Sequence, residues 1–185
     1  MADQTKLWAS ALAGAAALLI LLAVAALFVI YTGAYNIAAT EEHRAVTRWV
    51  FATTFHQSIR RRAAELAPPA EIAESQVETG AHHYKEMCQY CHGGPGEERA
   101  EWAEGMRPQP PHLAEAAAHW KLQEIFWLAK YGARMTGMPA FGPSHDDATL
   151  WGIAAFVQRL PAMTPDAYEA AGGRADGEPQ HEHAH

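Results

Sequence analysis

Cys88-Gln89-Tyr90-Cys91-His92 holds both cysteines of this 185-residue chain within five residues, and its reading decides the fold. Two thiols separated by two residues admit several chemistries. A redox dithiol of the thioredoxin kind belongs at the start of a helix that follows a strand, and nothing before Cys88 reads as a strand. A structural zinc site needs four ligands and usually a second cysteine pair, and the chain has no further cysteine. A disulfide across two intervening residues would be strained and would leave His92 without a role. Covalent attachment of a c-type haem employs every residue of the motif. Its gap matches the spacing of two vinyl groups, each taking one thioether, and a histidine that follows at once reaches the iron as proximal ligand.

The other axial position has a candidate in Thr136-Gly137-Met138-Pro139. Gly137 frees the backbone and Pro139 fixes it, so this is poor core-helix material and suits a loop that turns a thioether inward. Met138 is therefore the expected sixth ligand. Met135 is its rival, and falls otherwise to packing at the haem edge. His/Met ligation raises the reduction potential and fills both axial sites, which favours electron transfer over oxygen chemistry.

These residues together carry a family resemblance. Gly80-x-x-x-Tyr84-x-x-x-Cys88-x-x-Cys91-His92-Gly93 resembles the first helix and haem-binding turn of class I, single-haem cytochromes c. Glu124-Ile125-Phe126-Trp127, Lys130-Tyr131-Gly132 and Met135 through Gly142 resemble that family's third helix and methionine loop. Leu150-Trp151-Gly152-Ile153-Ala154-Ala155-Phe156-Val157, followed by Leu160-Pro161, resembles the C-terminal helix that packs across the first. The match spans roughly residues 77 to 163, with four motifs in order. The resemblance implies that the Pro111 carbonyl accepts the Nδ1 proton of His92, which orients the ligand and raises its basicity. His112 stands where the family more often has Asp or Asn.

Hydrophobic periodicity agrees. Tyr84, Met87 and Tyr90 recur at helical spacing before the haem turn. Leu122, Ile125, Phe126, Leu128 and Ala129 form one apolar face, closed by Gly132 as a C′ residue. Asp146 and Asp147 suit the start of the last helix, which then buries Leu150, Ile153, Ala154, Val157 and Leu160 until Pro161 stops it. The expected class is all-α: a transmembrane helix, a connecting amphipathic helix and a helical haem domain at 68–164.

Residues 7–31 carry no charge. As a helix these span roughly 38 Å, enough for a hydrocarbon core of roughly 30 Å. The h-region of a cleaved signal peptide is about 7–15 residues, so an uncleaved anchor is expected. Cytochromes c of this kind acquire haem on the outer face of an energy-transducing membrane, and the resemblance therefore implies a bacterial inner membrane with a periplasmic haem domain. Lys6 before the span and Arg44 and Arg48 after it give that orientation little help from the positive-inside rule.

Residues 32–67 form the connection. Ala45, Trp49, Ala52, His56, Ile59, Ala63 and Leu66 repeat in steps of four and three, predicting an amphipathic helix over 41–66 with Arg60-Arg61-Arg62 near its favourable C-terminal end. Its apolar face has three possible partners: membrane, a larger complex, or the haem domain itself. Pro68-Pro69 marks the boundary. Of the charges, 6 Lys+Arg and 4 Asp+Glu lie in residues 1–66, against 8 and 17 in residues 67–185, so the haem domain is acidic. Such a surface steers a basic redox partner at low salt. Residues 165–185 read as a disordered tail rich in Gly, Ala and acid, and His181, His183 and His185 as a solvated end rather than a metal site.

The expectation is thus one covalent haem c moving single electrons, with no substrate bond made or broken. Trp102, Trp120, Trp127 and Arg134 are candidates for the haem periphery and propionates. A second reading makes the chain a fixed haem c subunit of a respiratory or dehydrogenase complex, which the anchor and the 41–66 helix favour. A minor third is a haem enzyme or sensor with a labile Met138.

Overall fold

The computed structural model describes residues 2–172, so His181, His183 and His185 lie outside the described residues. The chain divides into two units, one ending at Glu41 and one starting at Glu42.

The first unit is built on α1 (Ala2–Thr32). Its stretch Gln4–Thr32 is 29 residues of apolar helix, long enough to cross a membrane. A helix meets this demand because it satisfies its own backbone hydrogen bonds inside hydrocarbon. Gly33, at φ +66°, ends it in the left-handed conformation that glycine adopts without steric cost.

The second unit is helical throughout; among the described residues the sole β feature is an isolated bridge between Gly94 and Glu97. Its framework is the crossing of α3 (Glu74–His83) and α8 (Asp147–Arg159). Each helix starts with a satisfied amide: the Gln76 side chain accepts from Ala73 N–H at 3.0 Å, and Asp146 Oδ1 accepts from Thr149 N–H at 2.8 Å. Where the helices cross, Gly80 meets Gly152 backbone to backbone. A Cβ at Gly80 would run into the Gly152 carbonyl, and one at Gly152 into the Gln76 carbonyl. Arg159 grips Glu74 with two bonds, Nη1 to Oε1 at 2.6 Å and Nη2 to Oε2 at 2.9 Å, tying the end of α8 to the start of α3.

After two short helices, α5 (Glu101–Glu104) and α6 (Leu113–Ala116), α7 (Leu122–Tyr131) lies against α8, with the Phe126 and Trp151 rings stacked at 3.9 Å. The periodicity placed these faces correctly: Ile125, Phe126 and Ala129 are buried on α7, and Leu150, Ile153, Ala154 and Val157 on α8. Trp151 and Phe156 are buried too, so α8 is apolar around most of its circumference. Gly132 closes α7 at φ +65°.

Two elements at the domain edges bear on the expectations. The first concerns α2 (Ala45–Ala63). Its buried residues are Ile59 and Ala63, with Phe55, Ser58 and Leu66 half-buried, and it packs on α7. Ala45, Trp49, Ala52 and His56 of the apolar repeat are exposed within this chain; Trp49 remains 66% and Val46 72% exposed. Length explains the difference. A 19-residue helix extends roughly 28 Å and a 10-residue helix roughly 15 Å, so α7 covers only the second half of α2. Full burial of Ile59, worth about 2 kcal/mol, attaches that half to α7.

The second concerns residues 165–172. In place of disordered tail they form α9 (Pro165–Ala170) and its exit turn. Thr164 Oγ1 accepts from Ala167 N–H and Pro165 takes the first helical position. Tyr168 is 2% exposed, its ring facing Tyr84 and Phe156 and its hydroxyl donating to Gln89 Oε1 at 2.7 Å. A single aromatic that fills the core outweighs the polar composition around it.

Gly80→Ala is expected to cost about 3 kcal/mol or more, at the upper end of overpacking effects, because backbone rather than a flexible side chain blocks the added methyl. Thermal unfolding followed by circular dichroism reads this directly. Glu74→Gln tests the clamp. The Arg159 hydrogen bond holds the Glu74 pKa below the ordinary carboxylate value of 4.5. The bonded carboxylate thus stabilises the fold above pH 4.5, and this contribution is lost as pH falls through the lower folded value. The melting point of wild type should accordingly drop more steeply than that of Glu74→Gln on acidification, and the difference should shrink in high salt.

Candidate haem site

The motif sits at the C-terminal end of α3. Tyr84–Cys88 winds as a π turn that leads into α4 (Gln89–His92). Such single-turn widenings re-aim side chains and occur often at functional sites. Gly93 then stops the helix at φ +64°. Its place is doubly constrained, since a Cβ there would lie 2.5 Å from His112 Nε2 and 2.7 Å from the Glu97 carbonyl. Tyr84, fully buried, donates its hydroxyl to the Gly93 carbonyl at 2.7 Å and so fastens the far side of the turn. Of the three aromatic-spaced residues, Tyr84 is core and Met87 half-buried, while Tyr90 is 53% exposed because its side chain follows the outer face of α4.

His92 Nδ1 lies 2.8 Å from the Pro111 carbonyl oxygen. A carbonyl only accepts, so Nδ1 carries the proton and Nε2 keeps its lone pair. Burial lowers the His92 pKa, opposed by the Pro111 bond and reinforced by the nearby Arg99 charge and His112. The imidazole is held neutral and oriented, the state a metal ligand requires.

Cys88 and Cys91 are both free thiols. Burial, with Cys91 beside it, pushes the Cys88 pKa up to about 12, and burial raises that of Cys91 as well. A dithiol that exchanges disulfides needs a lowered thiol pKa, so the redox-dithiol reading has no support in this environment. The donor set fits a c-type haem: two protonated thiols at the attachment spacing and one imidazole presenting Nε2.

The methionine loop leaves α7 through Gly132 and returns on itself. Ala133 N–H donates to the Met138 carbonyl at 3.2 Å, Thr136 Oγ1 donates to the Ala133 carbonyl at 2.7 Å, and Met138 N–H donates to Thr136 Oγ1 at 3.1 Å. Met138 is half-buried in this closed loop. Met135 instead has a left-handed backbone, φ +61°, and is 83% exposed. Gly137 packs against the Met106 methyl, so the loop has a second methionine as neighbour that the sequence pattern did not single out.

Residues 75–157, from the first turn of α3 to the last turns of α8, match the family model described as cytochrome c oxidase, cbb3-type, subunit III. The chain carries a c-type cytochrome domain. No curated protein matches it. With its apolar N-terminal helix the protein is a membrane-anchored c-type cytochrome, and its domain is consistent with electron transfer.

The cytochrome's remaining expected periphery is scattered. Trp120 is half-buried under α2, stacked on His56 at 5.0 Å and edge-on to Phe55. Trp127 pairs with Tyr131 on α7, Trp102 is 63% exposed and Arg134 is exposed. The loop 93–111 brings in residues that periodicity could not select. His112 Nε2 donates to the Glu97 carbonyl at 3.2 Å, and its buried Nδ1 has no hydrogen-bond partner. Arg99 is half-buried nearby, its side chain 12% exposed. The available signal was a charged residue in a Gly- and Glu-rich loop, which ordinarily means solvent exposure.

Tyr84→Phe is expected to destabilise the cytochrome by about 1–3 kcal/mol, because the buried Gly93 carbonyl loses the Tyr84 donor while packing is otherwise kept. Denaturant melts with unchanged m-value would show it.

Proposed function

We propose that this cytochrome binds one haem, joined by thioethers to Cys88 and Cys91, with His92 and Met138 as axial ligands, and that it passes single electrons at the periplasmic face of a bacterial inner membrane. The observation that carries the reading is the His92 Nδ1–Pro111 bond of 2.8 Å directly after two free cysteines at attachment spacing. Bound haem supplies a one-electron ferric/ferrous couple. The chain's contribution is to hold its ligands still. Pro111 fixes the His92 tautomer, Tyr84 and Gly93 fix the turn that bears it, and the hydrogen-bonded Ala133–Met138 loop presents the thioether. Fixed ligands keep rearrangement small when charge changes, which is what an electron carrier needs.

Met138 is favoured over Met135 because its loop position is half-buried, whereas Met135 extends into solvent. Localisation follows from the chemistry of c-type haem attachment together with the anchor. The acidic balance of residues 67–185 favours a basic docking partner.

A second reading, a fixed haem c subunit of a larger oxidoreductase, is favoured by two observations. The matching family is named for a subunit of a cytochrome c oxidase. The first half of α2 also presents Val46, Trp49, Val50 and Phe51 outward, more apolar surface than a free carrier requires. Copurification of stoichiometric partners from gentle detergent extracts would favour the subunit; purification alone would favour the carrier.

The deciding test is the optical spectrum of oxidised and reduced protein with Met138→Ala and Met135→Ala. The weak long-wavelength ferric band of iron–methionine ligation should be present in wild type and Met135→Ala and vanish in Met138→Ala, which should then bind carbon monoxide when reduced. Its absence from wild type, with carbon monoxide binding, would sink the His/Met assignment and turn attention to the labile-ligand reading.

A further inference from the structure

The first half of α2 has an apolar side that the rest of its unit does not cover. Val46, Trp49 and Val50, at i, i+3 and i+4, share that side, and all three are exposed. At 3.6 residues per turn it lies roughly 110° around the helix from Ile59 and Ala63, so packing on α7 leaves it open. Arg60 and Arg61, both exposed, continue the same side toward the C-terminal end. α2 as a whole carries four arginines and no carboxylate. Residues 67–185 carry 8 Lys+Arg against 17 Asp+Glu, so a basic helix packs on an acidic domain. Residues 33–44 join the end of α1 to the start of α2, a tether that reaches roughly 45 Å at full extension.

We propose that the first half of α2 lies on the anionic surface of the membrane that α1 spans, with Val46, Trp49 and Val50 at the acyl boundary and Arg60 and Arg61 on phosphate headgroups. This rests on the anchor and not on the haem ligand set. Three features select lipid over a protein partner. The tether keeps α2 near a bilayer at all times. An indole suits the interface, since its ring is apolar and its N–H is polar. The charge distribution fits as well: a negative surface attracts the basic helix and repels the acidic residues beyond it, so one field both seats α2 and turns the haem domain outward. Because lipid and α7 take different sides of the helix, both contacts hold together. α2 then limits rotation of the haem domain about its tether and fixes the face it offers to a redox partner.

The test uses the full-length protein in lipid nanodiscs, with the photocrosslinker p-benzoylphenylalanine in place of Val46. The same group in place of Trp102, 63% exposed on the haem domain, is the reference. After irradiation, mass spectrometry separates lipid adducts from protein adducts. In discs of phosphatidylcholine with phosphatidylglycerol, the Val46 position should give lipid adducts well above the Trp102 position. Discs of phosphatidylcholine alone, or the Arg60→Gln/Arg61→Gln pair, should lower that yield about fivefold, the attraction of one basic residue to an anionic surface. A Val46 lipid yield no greater than that at Trp102 overturns the proposal. Adducts to protein in place of lipid also overturn it and assign the face to a second copy of the chain. Equal yields in both kinds of disc overturn the headgroup role of the arginines. Should the Val46 variant not accumulate, the crosslinker in place of Val50 decides by the same outcomes.

Discussion

The contact between Gly80 and Gly152 governs the rest of this cytochrome domain. Two helices can approach to backbone contact only where neither carries a Cβ, and the closeness achieved there sets the tilt and register of α3 against α8. Because the attachment motif is the direct continuation of α3, the crossing also sets where Cys88, Cys91 and His92 emerge. On the other side, α8 supplies Trp151 to stack on Phe126, which fixes α7 and with it the start of the methionine loop. Both proposed axial ligands are thus placed through α8, His92 by way of α3 and the methionine loop by way of α7. The Arg159–Glu74 clamp reinforces that pair at its rim, where solvent screening limits its value.

Around this framework the haem turn is fastened from three sides. Tyr84 holds the Gly93 carbonyl from within the core, Pro111 holds the imidazole, and α9 closes the outside. There Tyr168 lies against Gly94 and donates to Gln89, while Lys85 Nζ donates to the Glu169 carbonyl at 2.9 Å. Three of these four bonds run from a side chain to a backbone carbonyl, so each removes freedom from the turn. A turn held this way supports the proposed electron-transfer role, because a fixed ligand changes little as charge comes and goes.

The second half of α2 belongs to the haem domain and the first half does not find a partner within it. Ile59 and Ala63 are as buried as any residue of α3 or α8, while Val46 and Trp49 are exposed. A single amphipathic repeat therefore serves two environments along its length. The periodicity that predicted a helix was correct, but periodicity measures only that a face is apolar and carries no information on what covers it.

The local signals in this sequence were strong because each rests on a constraint that neighbours in the chain impose on one another. Cysteine spacing, the Asp146 cap, the Gly132 stop, the apolar stripes of α7 and α8 and the uninterrupted run of α1 are all short-range, and these fixed the class, the helices and the attachment motif. The Pro111 bond was reachable only through resemblance, since eighteen residues separate it from His92. What tertiary structure alone decided are the outcomes of long-range competition for burial: that Tyr168 outweighs a polar tail, that α7 is too short to cover α2, and that Arg99 lies inside. Each depends on which surface lies opposite a residue in space, and that is settled only when the helices have packed.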